Sequence, residues 1–133
     1  MTVATADGRI IARFRGNPVI FVASDHTFTV KKTSQFVPSY HLLRDDEHVA
    51  SAKRAVFSAR YTVESADKVW ALKARGLTDR KHALLNGKVE TGAIYPISFF
   101  NPYREIVIDL PKEIAFEIQV FMTWVVVSSW SDD

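Results

Sequence analysis

Apolar and polar residues alternate along most of the chain, and then the alternation stops. Between Val56 and Val63, Phe57, Ala59, Tyr61 and Val63 interleave with Ser58, Arg60 and Thr62. That period of two is the signature of a strand with one buried face. Residues 27–31 repeat it, with Phe28 and Val30 set between Thr27, Thr29 and Lys31. Further short β-rich runs are predicted at 9–14, 18–23, 40–43, 48–52, 68–74, 95–100 and 104–109, each bounded by turn residues. Arg15, Gly16 and Asn17 are expected to close a hairpin between the first two of these. Arg44, Asp45, Asp46 and Glu47 suit a polar hairpin loop, as do Glu64, Ser65, Ala66 and Asp67. Asn86-Gly87, between HALL and KVETGAI, is the best local turn signal, because a type I′ turn needs positive φ at both central residues. About ten or eleven closely spaced strands with no helix between them point to an antiparallel barrel or sandwich rather than a parallel α/β sheet.

At Pro111 the period changes. Pro111 suits the first turn of a helix, where its missing N–H costs nothing, and Glu113 follows near the positive helix end. From Ile114 to Trp130 twelve of seventeen residues are apolar, and Glu117, Gln119, Thr123, Ser128 and Ser129 form no wide polar stripe at 3.6 residues per turn. Such a helix must be wrapped by protein or by lipid. WVVVSSW also permits a buried strand, since its β-branched residues favour extended backbone; the helix is the expectation. The thirteen uncharged residues from Ile118 to Trp130 span about 20 Å as a helix, against a hydrocarbon core of about 30 Å. That shortfall favours enclosure by protein over a membrane span.

Composition narrows the class. With 133 residues, 47% hydrophobic and 12% aromatic, the chain is read as one domain, 1–133, with strands over about 8–110 and the helix over about 111–130. The absence of Cys excludes disulfides, thiolate metal sites and cysteine nucleophiles. A net charge of +2 is too small to imply nucleic acid, and none is expected as a partner. The opening MTVATADGRI has neither a basic n-region nor an apolar h-region, so no cleaved signal is expected. The expected location is the cytoplasm, peripheral to a membrane.

The order of elements, and YREIVIDLP followed by the helix with Gln119, Phe121 and Trp124, resembles the bacterial tubby C-terminal-like proteins. These are related to the plant LURP-one family and the phospholipid scramblases. ARYTVESADKVWALKARG looks like that family's strand-turn-strand with a Trp, and VETGAIYP like the strand before its last hairpin. The resemblance covers roughly residues 8 to 130. It implies a mainly β fold, a closed antiparallel β-barrel of about 10–12 short strands enclosing the hydrophobic C-terminal helix. It also implies a role at membrane phospholipids.

Catalytic chemistry is mostly missing. Gly87 and Gly92 have the gap of a phosphate-binding loop, but Ala93 and Ile94 stand where Lys and Ser/Thr are required. There is no nucleophile elbow and no H-E-x-x-H helix. His41 and His48 flank Asp45, Asp46 and Glu47; a hairpin would bring them together as ligands, and a solvated acidic turn explains the same residues. His26 and His82 are read as turn or strand-face residues, and Trp70, Trp124 and Trp130 as core. No catalytic residue, metal site or cofactor is assigned. The basic residues Lys31, Lys32, Lys53, Arg54, Lys73, Arg75, Arg80 and Lys81 are the candidate patch for an anionic headgroup or phosphate. The functional expectation is a non-enzymatic domain binding phospholipid or phosphoinositide headgroups, or a protein partner, at a membrane face. Two alternatives are a protein tethered by its C-terminal hydrophobic segment and a small barrel enzyme or metal-binding protein using the His41–His48 turn.

Overall fold

The computed structural model describes residues 2–5, 10–13, 19–33, 38–55, 58, 60–74, 80–97 and 105–131. Eleven strands precede one helix. The strands are β1 (Thr2–Thr5), β2 (Ile10–Arg13), β3 (Val19–Ala23), β4 (His26–Thr33), β5 (Ser39–Arg44), β6 (Glu47–Arg54), β7 (Arg60–Ser65), β8 (Lys68–Ala74), β9 (His82–Asn86), β10 (Val89–Pro96) and β11 (Glu105–Asp109), and the helix is α1 (Phe116–Ser131). All strands belong to one sheet, in the order β2-β1-β11-β10-β9-β8-β7-β6-β5-β4-β3. From β3 to β11 each strand pairs antiparallel with the next. β1 then joins β11 in parallel, with Val3 opposite Ile106.

The mainly β class and the hydrophobic C-terminal helix agree with the sequence reading, but the closed barrel does not. β2 and β3 stand at opposite ends of the strand order, and no pairing joins them among the described residues. The expected hairpin across Arg15, Gly16 and Asn17 lies outside the described residues. Among the described residues β2 has β1 as its antiparallel partner, and β3 has β4. The ladder is therefore open at both edges.

Smaller differences have local causes. KVETGAI and the following residues form one strand rather than two, because Tyr95 and Pro96 continue β10 against Val107 and Ile106. Pro96 is the strand's last residue, where a missing N–H is tolerated. Of the run 56–63, Tyr61 and Val63 are buried as the alternation required, while Phe57 and Ala59 lie outside the described residues. The helix starts at Phe116, not at Pro111. Ahead of it the Ile114 N–H donates to the Pro111 carbonyl at 3.2 Å, and Gln119 Nε2 donates to the Ile114 carbonyl at 2.9 Å. The acid in the first turn is Glu117 rather than Glu113.

One face of the sheet and the whole circumference of the helix make the core. Phe28, Val30, Tyr40, Leu42, Tyr61, Val63, Leu72, Leu84, Ile94 and Ile106 meet Ile118, Val120, Phe121, Met122, Val125, Val126 and Val127. Each such large side chain contributes about 1.5–3 kcal/mol of gross burial. Since α1 is buried on every side, the single sheet must curl round it. Several polar groups of the helix find partners inside. The Tyr40 hydroxyl donates to Ser128 Oγ at 3.2 Å, Trp130 Nε1 to the Arg80 carbonyl at 3.1 Å, and Thr123 Oγ1 to the Gln119 carbonyl at 2.8 Å. Among the described residues no helix is long and apolar enough to cross a membrane; the stretch read as a possible anchor lies inside the protein.

The sheet has two unlike ends. At one, the turn end, Ser24, Asp25, Asp45, Asp46, Ala66 and Gly87 take positive φ in the short connections, and residues 110–115 lead into the helix. At the other, the loop end, lie the longer connections after β4, β6, β8 and β10.

Candidate functional site

Charge follows these two ends. Asp25, Asp45, Asp46, Glu47, Glu64, Asp67, Glu90, Asp109, Glu113 and Glu117 all lie toward the turn end, accompanied by Arg44, Lys68, Lys88 and Lys112. Lys31, Lys32, Lys53, Arg54, Arg60, Lys73, Arg80 and Lys81 lie toward the loop end. Arg13 and Glu105 end the same row, both opposite Thr2 of β1.

Strand parity splits the predicted basic residues into two groups. Lys31, Lys53 and Lys73 are exposed on the outer face. Arg60, which is not among the eight basic residues expected from the sequence, joins them. Its signal was present in the alternation that puts Ser58, Arg60 and Thr62 on one face. Arg60 stands directly opposite Lys73. Lys53 faces Thr62, so it is diagonal to Arg60. Lys31 faces His41, which faces Ser51, two residues before Lys53. The four cations thus cross the outer face from β4 to β8, four strand spacings or about 19 Å. None of the four has a carboxylate partner among the described residues.

The remaining predicted residues do other work. Lys32 and Arg54 have the opposite parity and are half-buried; the Lys32 amine sits 5.7 Å from the centre of the Tyr40 ring. The Lys81 amine lies 5.3 Å from the centre of the Tyr95 ring, a cation–π contact. The Arg80 carbonyl accepts from Trp130 Nε1 and from His82 Nδ1, the latter at 3.2 Å. Arg75 lies outside the described residues. Beside Lys73, a surface hollow of about 340 Å3 is lined by Ala74, Ala83, Leu85, Lys88 and Glu90. A larger cleft of about 670 Å3 opens at the turn end, where Trp70, Lys68 and Thr91 approach Glu113 and Ile114.

The histidines of the acidic turn divide into two pairs. His26 Nδ1 donates to Asp45 Oδ2 at 2.6 Å, and the Thr27 N–H donates to Asp45 Oδ1 at 3.1 Å. The His26 hydrogen bond, helped by that from Thr27, holds the Asp45 carboxyl below its ordinary range. His41 Nδ1 and His48 Nε2 approach to 3.4 Å on the outer face. Burial, and secondarily the charge of His48, lowers the His41 pKa. The turn carboxylates do not join that second pair; among the described residues no group of three metal-ligating side chains forms.

The chain matches no family model, no curated protein and no solved structure.

Proposed function

We propose that the chain is a non-enzymatic binding domain that docks on an anionic phospholipid surface through Lys31, Lys53, Arg60 and Lys73. One observation carries this reading. Arg60 and Lys73 oppose each other directly across β7 and β8, and like charges in that position destabilise a sheet. Among the described residues no carboxylate pairs with either, so an external anion would relieve the repulsion. Phosphate headgroups would supply it as an array of anions facing the cations of the outer face. Each basic group near such a surface contributes about 1 kcal/mol, so four give about 4 kcal/mol, or about a thousandfold in affinity. The resemblance of YREIVIDLP and the following helix to the tubby-like and scramblase-like proteins points the same way, and we take kinship with that group as part of the proposal.

Co-sedimentation with vesicles tests it. Vesicles containing phosphatidylserine or a phosphoinositide are expected to pull the protein down at low salt, and neutral phosphatidylcholine vesicles are not. Equal recovery on both, or none on either, would overturn the reading.

A further inference from the structure

We propose that His41 and His48 form a two-imidazole clasp for a borderline transition-metal ion such as Zn2+ or Ni2+. The pair owes its existence to a fault in the sheet. With Tyr40 opposite Ala52 and His41 opposite Ser51, regular pairing would set Val49 against Leu43 and send His48 to the inner face with Ala50 and Ala52. Instead the register shifts after Leu42, which faces Ala50, so that Leu43 faces His48. Val49 becomes the extra residue of a β-bulge, and His48 turns outward beside His41. Bulges re-aim single side chains in this way.

The resulting geometry fits an ion. His41 Nδ1 and His48 Nε2 are 3.4 Å apart, with ring centroids 5.5 Å apart and planes inclined by 56°. Two imidazole nitrogens bound to one tetrahedral ion at about 2.0–2.1 Å stand about 3.3–3.4 Å from each other. The separation of the two nitrogens therefore already matches that bite. His41 is half-buried, and a neutral imidazole has a lone pair to offer. His26 is not a third ligand, since it forms no group of three metal-ligating side chains with His41 and His48. Among the described residues nothing else completes a cage, so the other positions fall to water or to an oxygen of whatever docks on this face. Lys31, opposite His41 on β4, opposes a cation and keeps the affinity modest.

Tag-free protein titrated with ZnCl2 or NiCl2 near neutral pH, followed by calorimetry and by the histidine ring signals in NMR, decides the matter. One ion per chain is expected, with the His41 and His48 rings responding together. His41→Gln and His48→Gln should each weaken binding by roughly tenfold or more, the scale of losing a metal-site group, while His26→Gln leaves it unchanged. All three positions are at the surface or half-buried, so the variants should fold. Absence of binding up to about 1 mM metal at a pH where imidazole is deprotonated would overturn the proposal. So would wild-type affinity in His41→Gln and His48→Gln, which would leave only a hydrogen-bonded pair of rings.

Discussion

At the turn end, five non-glycine residues accept positive φ, and Asp45 fastens its hairpin to β4 through His26 and Thr27. The acids there have structural employment: Asp tolerates the left-handed region and accepts local N–H donors. At the loop end the opposite holds. Arg60 faces Lys73 without benefit to the fold, and Lys31 and Lys53 extend the same positive row. One end of the sheet uses charge to fix backbone geometry, and the other carries charge that geometry does not need. Substitutions at the turn end should therefore change stability and leave binding alone, and substitutions in the loop-end row should do the reverse.

The largest expected effect is on binding. Replacing Lys31, Lys53, Arg60 and Lys73 together by Glu should cut affinity for anionic vesicles by about a thousandfold or more, from about 1 kcal/mol per removed cation and added repulsion. Thermal unfolding should show no loss of stability. The matching turn-end variant, Asp25, Asp46 and Asp67 to Asn, should not weaken vesicle binding.

Next comes Gly92→Ala. A Cβ on Gly92 would stand 2.4 Å from the Asp109 carbonyl oxygen, a backbone atom that cannot swing away. Denaturant titration should show a loss of about 1–3 kcal/mol, the usual range for overpacking. Vesicle binding per folded molecule should stay the same.

Lys73→Ala separates the two ends most finely. It should weaken vesicle binding about fivefold, the equivalent of about 1 kcal/mol. It should also raise stability by up to about 1 kcal/mol, because it relieves the like-charge pair with Arg60. A loss of stability would mean that Lys73 is structural after all.

The smallest effects are those of pH. The His41 pKa is lowered in the folded state, so below its ordinary value near 6.5 the unfolded chain binds more protons. Stability from this group is complete above that value and falls as pH drops toward the folded pKa. Asp45, also lowered, acts in the more acid window: its contribution is present above the ordinary carboxylate value and is lost as pH falls through the folded pKa. Stability measured against pH should therefore decline in two steps, and His41→Gln should remove only the upper one.

How much of this was legible in the sequence depended on whether a residue announces itself through its neighbours. Alternation placed Phe28, Val30, Tyr61 and Val63 on the inner face, and the unbroken apolar run marked α1 as enclosed. β1 was unreadable because Thr2–Thr5 has a single large apolar residue and no period. It lies between β2 and β11 in the strand order, a position the sequence reading did not assign. Lys31, Lys53 and Lys73 were visible as basic residues, but their shared face depends on register across four hairpins. Arg60 was hidden among neutral residues until its partner Lys73 was known. The hairpin that brings His41 and His48 together was legible, but the outward turn of His48 rests on a bulge that nothing in VAS or LLR signals.

The most direct measurement is the salt dependence of vesicle binding, for the wild type and the fourfold Glu variant, on phosphatidylserine-containing and neutral vesicles. Over about 0.05–0.3 M salt, where screening between exposed charges steepens, wild-type binding to anionic vesicles should fall strongly, and neutral vesicles should bind neither protein. Wild-type binding that ignores salt, or equal binding by the fourfold variant, would contradict a role for the loop-end cations.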